Sequence, residues 1–168
     1  MSIDHPWEKE ALSTEGRPAE QARAWWLLLL PAAYLLHLAE EWWGGEGFAQ
    51  WTARTVGSPV STTRFLVLNG IVWPLFSLLT VTAILRAKWV WFIATFATVV
   101  LINAGLHALG TLVTSTYSPG LLTSLFLYLP LGLAAISYSK RVATPRSFSL
   151  AVLLGLLIHA VVAVIAFT

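Results

Sequence analysis

Five runs of predominantly apolar residues, approximately 24–43, 65–85, 89–114, 121–139 and 147–167, divide this chain. Each is close to the ~20 residues that a helix needs to cross roughly 30 Å of hydrocarbon. In lipid only helices and closed barrels satisfy their own backbone hydrogen bonds. The expected fold is therefore all-α, a polytopic membrane bundle of about five transmembrane helices. The acidic residues agree: from residue 47 to residue 168 there is no Asp or Glu. With 57% of the 168 residues hydrophobic and 11% charged, the chain is too apolar for an ordinary soluble domain.

Residues 1–23 read as a separate polar tail, leaving 24–168 as the five-helix domain. Five of the eight acids, Asp4, Glu8, Glu10, Glu15 and Glu20, lie in this tail, which is unlike the short basic start of a signal peptide. A cytosolic tail with one short surface helix is expected there. Trp25-Trp26 and Trp42-Trp43 bracket the first span as aromatic belts, and Trp89 with Trp91 opens the third. Pro31, Pro74 and Pro130 fall within spans, where a proline frees a carbonyl to kink the helix or line a cavity. Gly44-Gly45-Glu46-Gly47 ends the first helix, and Tyr117-Ser118-Pro119-Gly120 is a tight turn between the third and fourth.

Basic residues set an orientation. Lys9, Arg17, Arg23, Arg86, Lys88, Lys140, Arg141 and Arg146 fall on one side of the five spans, against Arg54 and Arg64 on the other. The positive-inside rule places the N-terminus in the cytoplasm and the C-terminus outside, as in a prokaryotic plasma membrane. The same basic residues are scattered rather than clustered with aromatics, which argues against nucleic-acid binding.

Charge inside a bilayer costs at least ~2.5 kcal/mol per group, so ionisable residues there are paired, face a cavity or function. His37, Glu40 and Glu41 occupy the last turn and a half of the first span. His107 lies in the third and His159 in the fifth. With helices one, three and five all running outward, a rise of ~1.5 Å per residue places His37 roughly 20 Å, His107 roughly 27 Å and His159 roughly 18 Å above the inner boundary. These heights all fall in the outer half of the bilayer and are compatible with one shared site. Spacings of three and four put Glu40 and Glu41 beside the His37 edge, and Asn103, His107 and Thr111 on one face of the third span. Gly155, one turn before His159, allows a close helix approach.

His37-x-x-Glu40-Glu41 in a first membrane span, with Asn103-x-x-x-His107 and a late His159, resembles the HXXEE family of small bacterial and archaeal membrane proteins. The resemblance extends loosely over residues 24–167. It implies a helical membrane protein of unestablished activity and supplies no substrate.

The residues themselves suggest a metal. Without cysteine there is no thiolate ligand, so His37, Glu41, His107 and His159 are the candidate ligands for zinc or iron. The glutamates Glu40 and Glu41 are the candidate catalytic groups, one orienting a metal-bound water or acting as base. Asn69, Asn103 and Thr111 are candidate substrate contacts. A ferritin-like two-iron centre wants about four carboxylates and is poorly supplied here.

The leading expectation is a metal-dependent hydrolase or oxidoreductase acting on a lipophilic small molecule among membrane lipids, with a homo-oligomer left open. The alternatives are a ligand binder, a proton-coupled carrier, a haem protein using two histidines, or a scaffold. Ser61, Ser115 and Ser118 lie on the outer side without a nucleophile motif around them. The plainest reading makes Glu40 and Glu41 a solvated helix end, each lone histidine an interhelical hydrogen-bond partner, and Asn69 and Asn103 packing contacts.

Overall fold

A computed structural model describes residues 24–57 and 60–167, so the expectations for the tail 1–23 lie outside the described residues. Six helices are found there and no strand. A short 3-10 turn, Trp25–Leu28, leads into α1 (Leu29–Trp43), followed by α2 (Phe48–Val56), α3 (Thr62–Leu85), α4 (Trp91–Thr114), α5 (Leu121–Val142) and α6 (Pro145–Phe167). The helices α3 to α6 are each long and apolar enough to cross a membrane. The first expected span is composite. Fifteen α-helical residues rise roughly 22 Å and the preceding 3-10 turn adds about 8 Å, together matching the hydrocarbon thickness.

The bundle is organised around α4. Half of its apolar window is buried, against 11% for both α3 and α6. Helices α5 and α6 pack along it, and Leu27, Leu30 and Ala33 share one buried core with Phe76 of α3 and with Ile93, Phe96 and Ala97 of α4. Large apolar side chains such as Leu112 and Phe126 face outward, where lipid rather than water is their partner.

Two local departures from regular helix bear on the site. Pro31 lies in the first turn of α1, where its missing N–H costs little. Its carbonyl accepts the Trp73 indole N–H at 3.0 Å. Pro130 sits inside α5, where its ring would crowd the carbonyl four residues earlier. The turn just before it, Ser124–Tyr128, is widened to a π-helix. That bulge carries Tyr128, whose ring lies over His37 with centroids 4.4 Å apart. The nine-residue α2, unforeseen from the sequence, is amphipathic. It buries Trp51 and Thr52 and pairs Arg54 with Glu46 on its exposed side.

Candidate functional site

The C-terminal turn of α1, the C-terminal part of α4 and the start of α5 meet at one point. His37 and Glu41, four residues apart, project from the buried stripe of α1 that includes Leu30 and Ala33. His107 comes from the buried face of α4. The Nε2 atoms of His37 and His107 lie 3.5 and 3.4 Å from the same atom, Oε1 of Glu41. All three residues are buried, and one donor atom from each falls within a 4.8 Å group.

The two imidazoles are held from behind by hydroxyls. His37 Nδ1 lies 2.9 Å from Thr123 Oγ1, and His107 Nδ1 lies 2.9 Å from Ser118 Oγ. Thr123 fixes a tautomer. Its single hydroxyl proton goes to the Glu40 carboxylate, so its oxygen is left to accept the His37 Nδ1–H. The lone pair of a neutral His37 is then on Nε2, which has no hydrogen-bond partner among the described residues although it is buried. A bare Nε2 facing a buried carboxylate oxygen sets lone pair against lone pair. Either a proton or a metal ion must stand between them.

Glu40 points elsewhere than Glu41. Its Oε1 accepts from the Leu122 amide at 2.8 Å and from the Tyr117 hydroxyl, while Oε2 accepts from the Thr123 amide at 2.6 Å and from the Thr123 hydroxyl. These amides belong to the first turn of α5, whose N–H groups lack intrahelical partners. The cap position is Gly120, which has no side chain to offer. A Cβ there would lie 2.7 Å from Cε1 of both His37 and His107. The turn can close over the two rings only with glycine, so the cap is supplied by Glu40 from α1. Burial and then the Glu40 hydrogen bond push the Tyr117 phenol up to about 12, keeping it a donor.

Four further groups complete the picture. Asn69 accepts the Tyr34 hydroxyl at 2.6 Å and donates to the Phe65 carbonyl. Thr111 accepts the Ser118 amide at 3.1 Å, holding the turn that carries the His107 partner. Asn103 lines the cavity described below, with its Oδ1 buried and unpartnered among the described residues. His159 lines the same cavity but stands apart from the His37, Glu41 and His107 group. The reason is helix register. A Cβ on Gly155 would lie 2.5 Å from the Thr95 carbonyl oxygen and 2.7 Å from the Thr98 Cβ, so α6 is locked to the lower part of α4. His159, one turn further on, is left roughly 10 Å below His107 at ~1.5 Å per residue. Nothing in the sequence singled out Thr123 or Tyr128, and Gly120 was legible only as part of the tight turn Tyr117-Ser118-Pro119-Gly120.

Behind the cluster lies a cavity of about 720 Å³, walled mainly by apolar side chains of α1, α2, α3, α4 and α6. The face of α4 that lines it runs Thr95, Val99, Asn103, His107 and Gly110. Helices α3 and α6 both contribute to its wall without packing closely against each other. A second pocket of about 220 Å³, lined by Glu46, Gln50 and Thr62 among others, shares Glu41, Phe48 and Phe65 with the first. Glu41 thus lines both an apolar chamber and a smaller, more polar pocket.

No curated protein and no solved structure matches the chain. One family model does, described as a protein of unknown function with HXXEE motif, and its match covers residues 28–135. That range holds His37, Glu40, Glu41, His107, Gly120 and Thr123, the parts of the site just described, and stops before His159. On this match over more than half its length, the chain belongs to the HXXEE family.

Proposed function

We propose that this protein is a membrane enzyme in which His37, Glu41 and His107 hold one divalent metal ion, zinc before iron, facing a chamber for a lipophilic substrate. The observation that carries the reading is the convergence of two imidazole Nε2 atoms on one carboxylate oxygen, at 3.5 and 3.4 Å. Ligands at ~2.1 Å around a tetrahedral ion are separated by roughly 3.4 Å, whereas a right-angled octahedral arrangement would bring them to about 3.0 Å. The two nitrogen-to-oxygen separations lie near the tetrahedral value. Thr123 and Ser118 behind the rings are the hydrogen-bonding partners that metal-bound histidines characteristically have.

Two histidines and one glutamate leave a fourth position for water, which a bound zinc ion would acidify. Glu41, engaged through Oε1, would keep Oε2 as a hydrogen-bond acceptor beside that position. Glu40, with four hydrogen bonds, acts on the site by holding Thr123 rather than as a base. The chamber takes the apolar part of the substrate, entering between α3 and α6, and the smaller pocket beside Glu41 admits its polar end and water. In this reading the N-terminus is cytoplasmic and the site lies in the outer leaflet, as the distribution of Lys and Arg supports.

A serine nucleophile is the second reading, because Ser118, His107 and Glu41 stand in the order of a triad. A triad needs one imidazole, however, and leaves His37 without a part. Elemental analysis of the full chain purified in detergent decides. About one zinc or iron per chain, lost in Glu41→Gln, supports the metal centre. Metal-free protein labelled at Ser118 by a lipophilic phosphonate would replace it with the serine reading.

A further inference from the structure

The chamber is a straight shaft with a floor. On α4 it is lined by Phe92, Phe96, Val99, Asn103 and His107, and on α3 by every third or fourth residue from Phe65 to Leu79. Positions spaced in this way fall on one side of a helix, so the cavity runs lengthwise between the two helices rather than across them. Two contacts close it toward the start of α4. Phe76 of α3 stacks on Phe96, and Phe92 joins them with its ring centroid 6.3 Å from that of Phe76. At the same level a Cβ on Gly155 would lie 2.5 Å from the Thr95 carbonyl oxygen. Helix α6 therefore meets α4 there, and it lines the cavity only from Ile158 onward. The floor lies between Phe96 and Phe92, a depth of about 16–22 Å from His107 at ~1.5 Å per residue.

We infer that the chamber is a length gauge for one alkyl chain of about 14–18 carbon atoms, lying along α4 with its polar end at Glu41. An extended backbone advances ~3.5 Å over three bonds, or about 1.2 Å per bond, so the shaft from His107 to the floor holds a chain of that length and no more. Its volume of about 720 Å³ is in the range in which a pocket buries one small molecule. The limit is set by packing. Each methylene within the shaft keeps the apolar surroundings it had in lipid, whereas one pressed against the floor meets a close-packed core that yields little. Val99 of α4 and Val72 of α3 stand about midway down opposite walls, and their small side chains keep the shaft open. The inference rests on the chamber being a lipid site, as proposed above, and not on the identity of the metal.

An equimolar ladder of saturated primary alcohols, about 8 to 22 carbon atoms long, tests this by native mass spectrometry. The full chain is held in a bile-salt detergent, which has no alkyl chain of its own to compete. Occupancy should persist to about 18 carbon atoms and fall at least about tenfold by about 22, because each methylene denied apolar surroundings weakens binding about fourfold. Val99→Trp and Val72→Trp should each lower the limit to about 10 carbon atoms, and Phe92→Ala, which opens the floor, should raise it by about four. Leu112→Trp, on the lipid-facing side of α4, should leave it unchanged. Binding without an upper limit, or a limit that none of Val99→Trp, Val72→Trp and Phe92→Ala moves, overturns the gauge while leaving the lipid chamber standing. Binding of no alcohol of any length overturns the chamber itself and this inference with it.

Discussion

Gly120→Ala is the substitution whose consequence the geometry defines most sharply. At φ +102° an alanine incurs about 1–2 kcal/mol of left-handed backbone strain. Its Cβ also meets Cε1 of His37 and of His107 at 2.7 Å, where ordinary contact begins at 3.4 Å. Each ring must retreat by about 0.7 Å, several times the ~0.2 Å tolerance of a metal–ligand bond. Gly57→Ala separates the two effects, because Gly57 has a similar φ of +75° and nothing within 4 Å of an added Cβ. Gly57→Ala should lose stability by about the strain term, and Gly120→Ala by at least that much. Only Gly120→Ala should lose zinc, with affinity lower by at least about a hundredfold in a competition titration against a chelating dye. Wild-type zinc affinity in Gly120→Ala would refute the placement of this turn over the two imidazoles.

Other substitutions divide the motif by role. Thr123→Val removes the hydroxyl that orients His37 and should weaken zinc about 10–100-fold, while Thr123→Ser should restore it; the same dye titration reads both. Glu41→Gln should abolish metal binding in a protein that remains helical by circular dichroism. Glu40→Gln should retain metal at reduced affinity but lose about 1–3 kcal/mol of stability, because the α5 cap and the Thr123 contact lose a charged acceptor, seen as earlier unfolding in detergent. A reporter active only outside the cytoplasm, fused after residue 168, should be active; a silent one would reverse the orientation drawn from Lys and Arg.

The spans were legible because lipid demands length and apolarity together, and the expected bounds 65–85, 89–114, 121–139 and 147–167 lie within a few residues of α3, α4, α5 and α6. The neighbourhood of His37 and Glu41 was legible for a similar reason, since i,i+4 spacing on one helix fixes it locally. Adding His107 needed only depth along a second helix. The partition of the two glutamates was not legible. Glu40 turns toward α5 because Gly120 leaves that helix without a cap, and neither fact is local to α1. His159 illustrates the opposite case: its height, roughly 9 Å below His107 by helical rise, was readable, and Gly155 meeting Thr95 and Thr98 holds α6 at about that register; the step that failed was grouping it with His37, Glu41 and His107. The short α2 went unforeseen because nine residues between spans carry too little periodic signal.

X-ray absorption at the zinc edge of the reconstituted full chain addresses the central claim most directly. Two imidazole nitrogens and light-atom oxygen ligands at ~2.0–2.1 Å are expected around a four-coordinate ion, and His107→Ala should reduce the imidazole signature from two rings to one. A spectrum without imidazole, or one left unchanged by both His37→Ala and His107→Ala, would contradict a metal held by His37, Glu41 and His107.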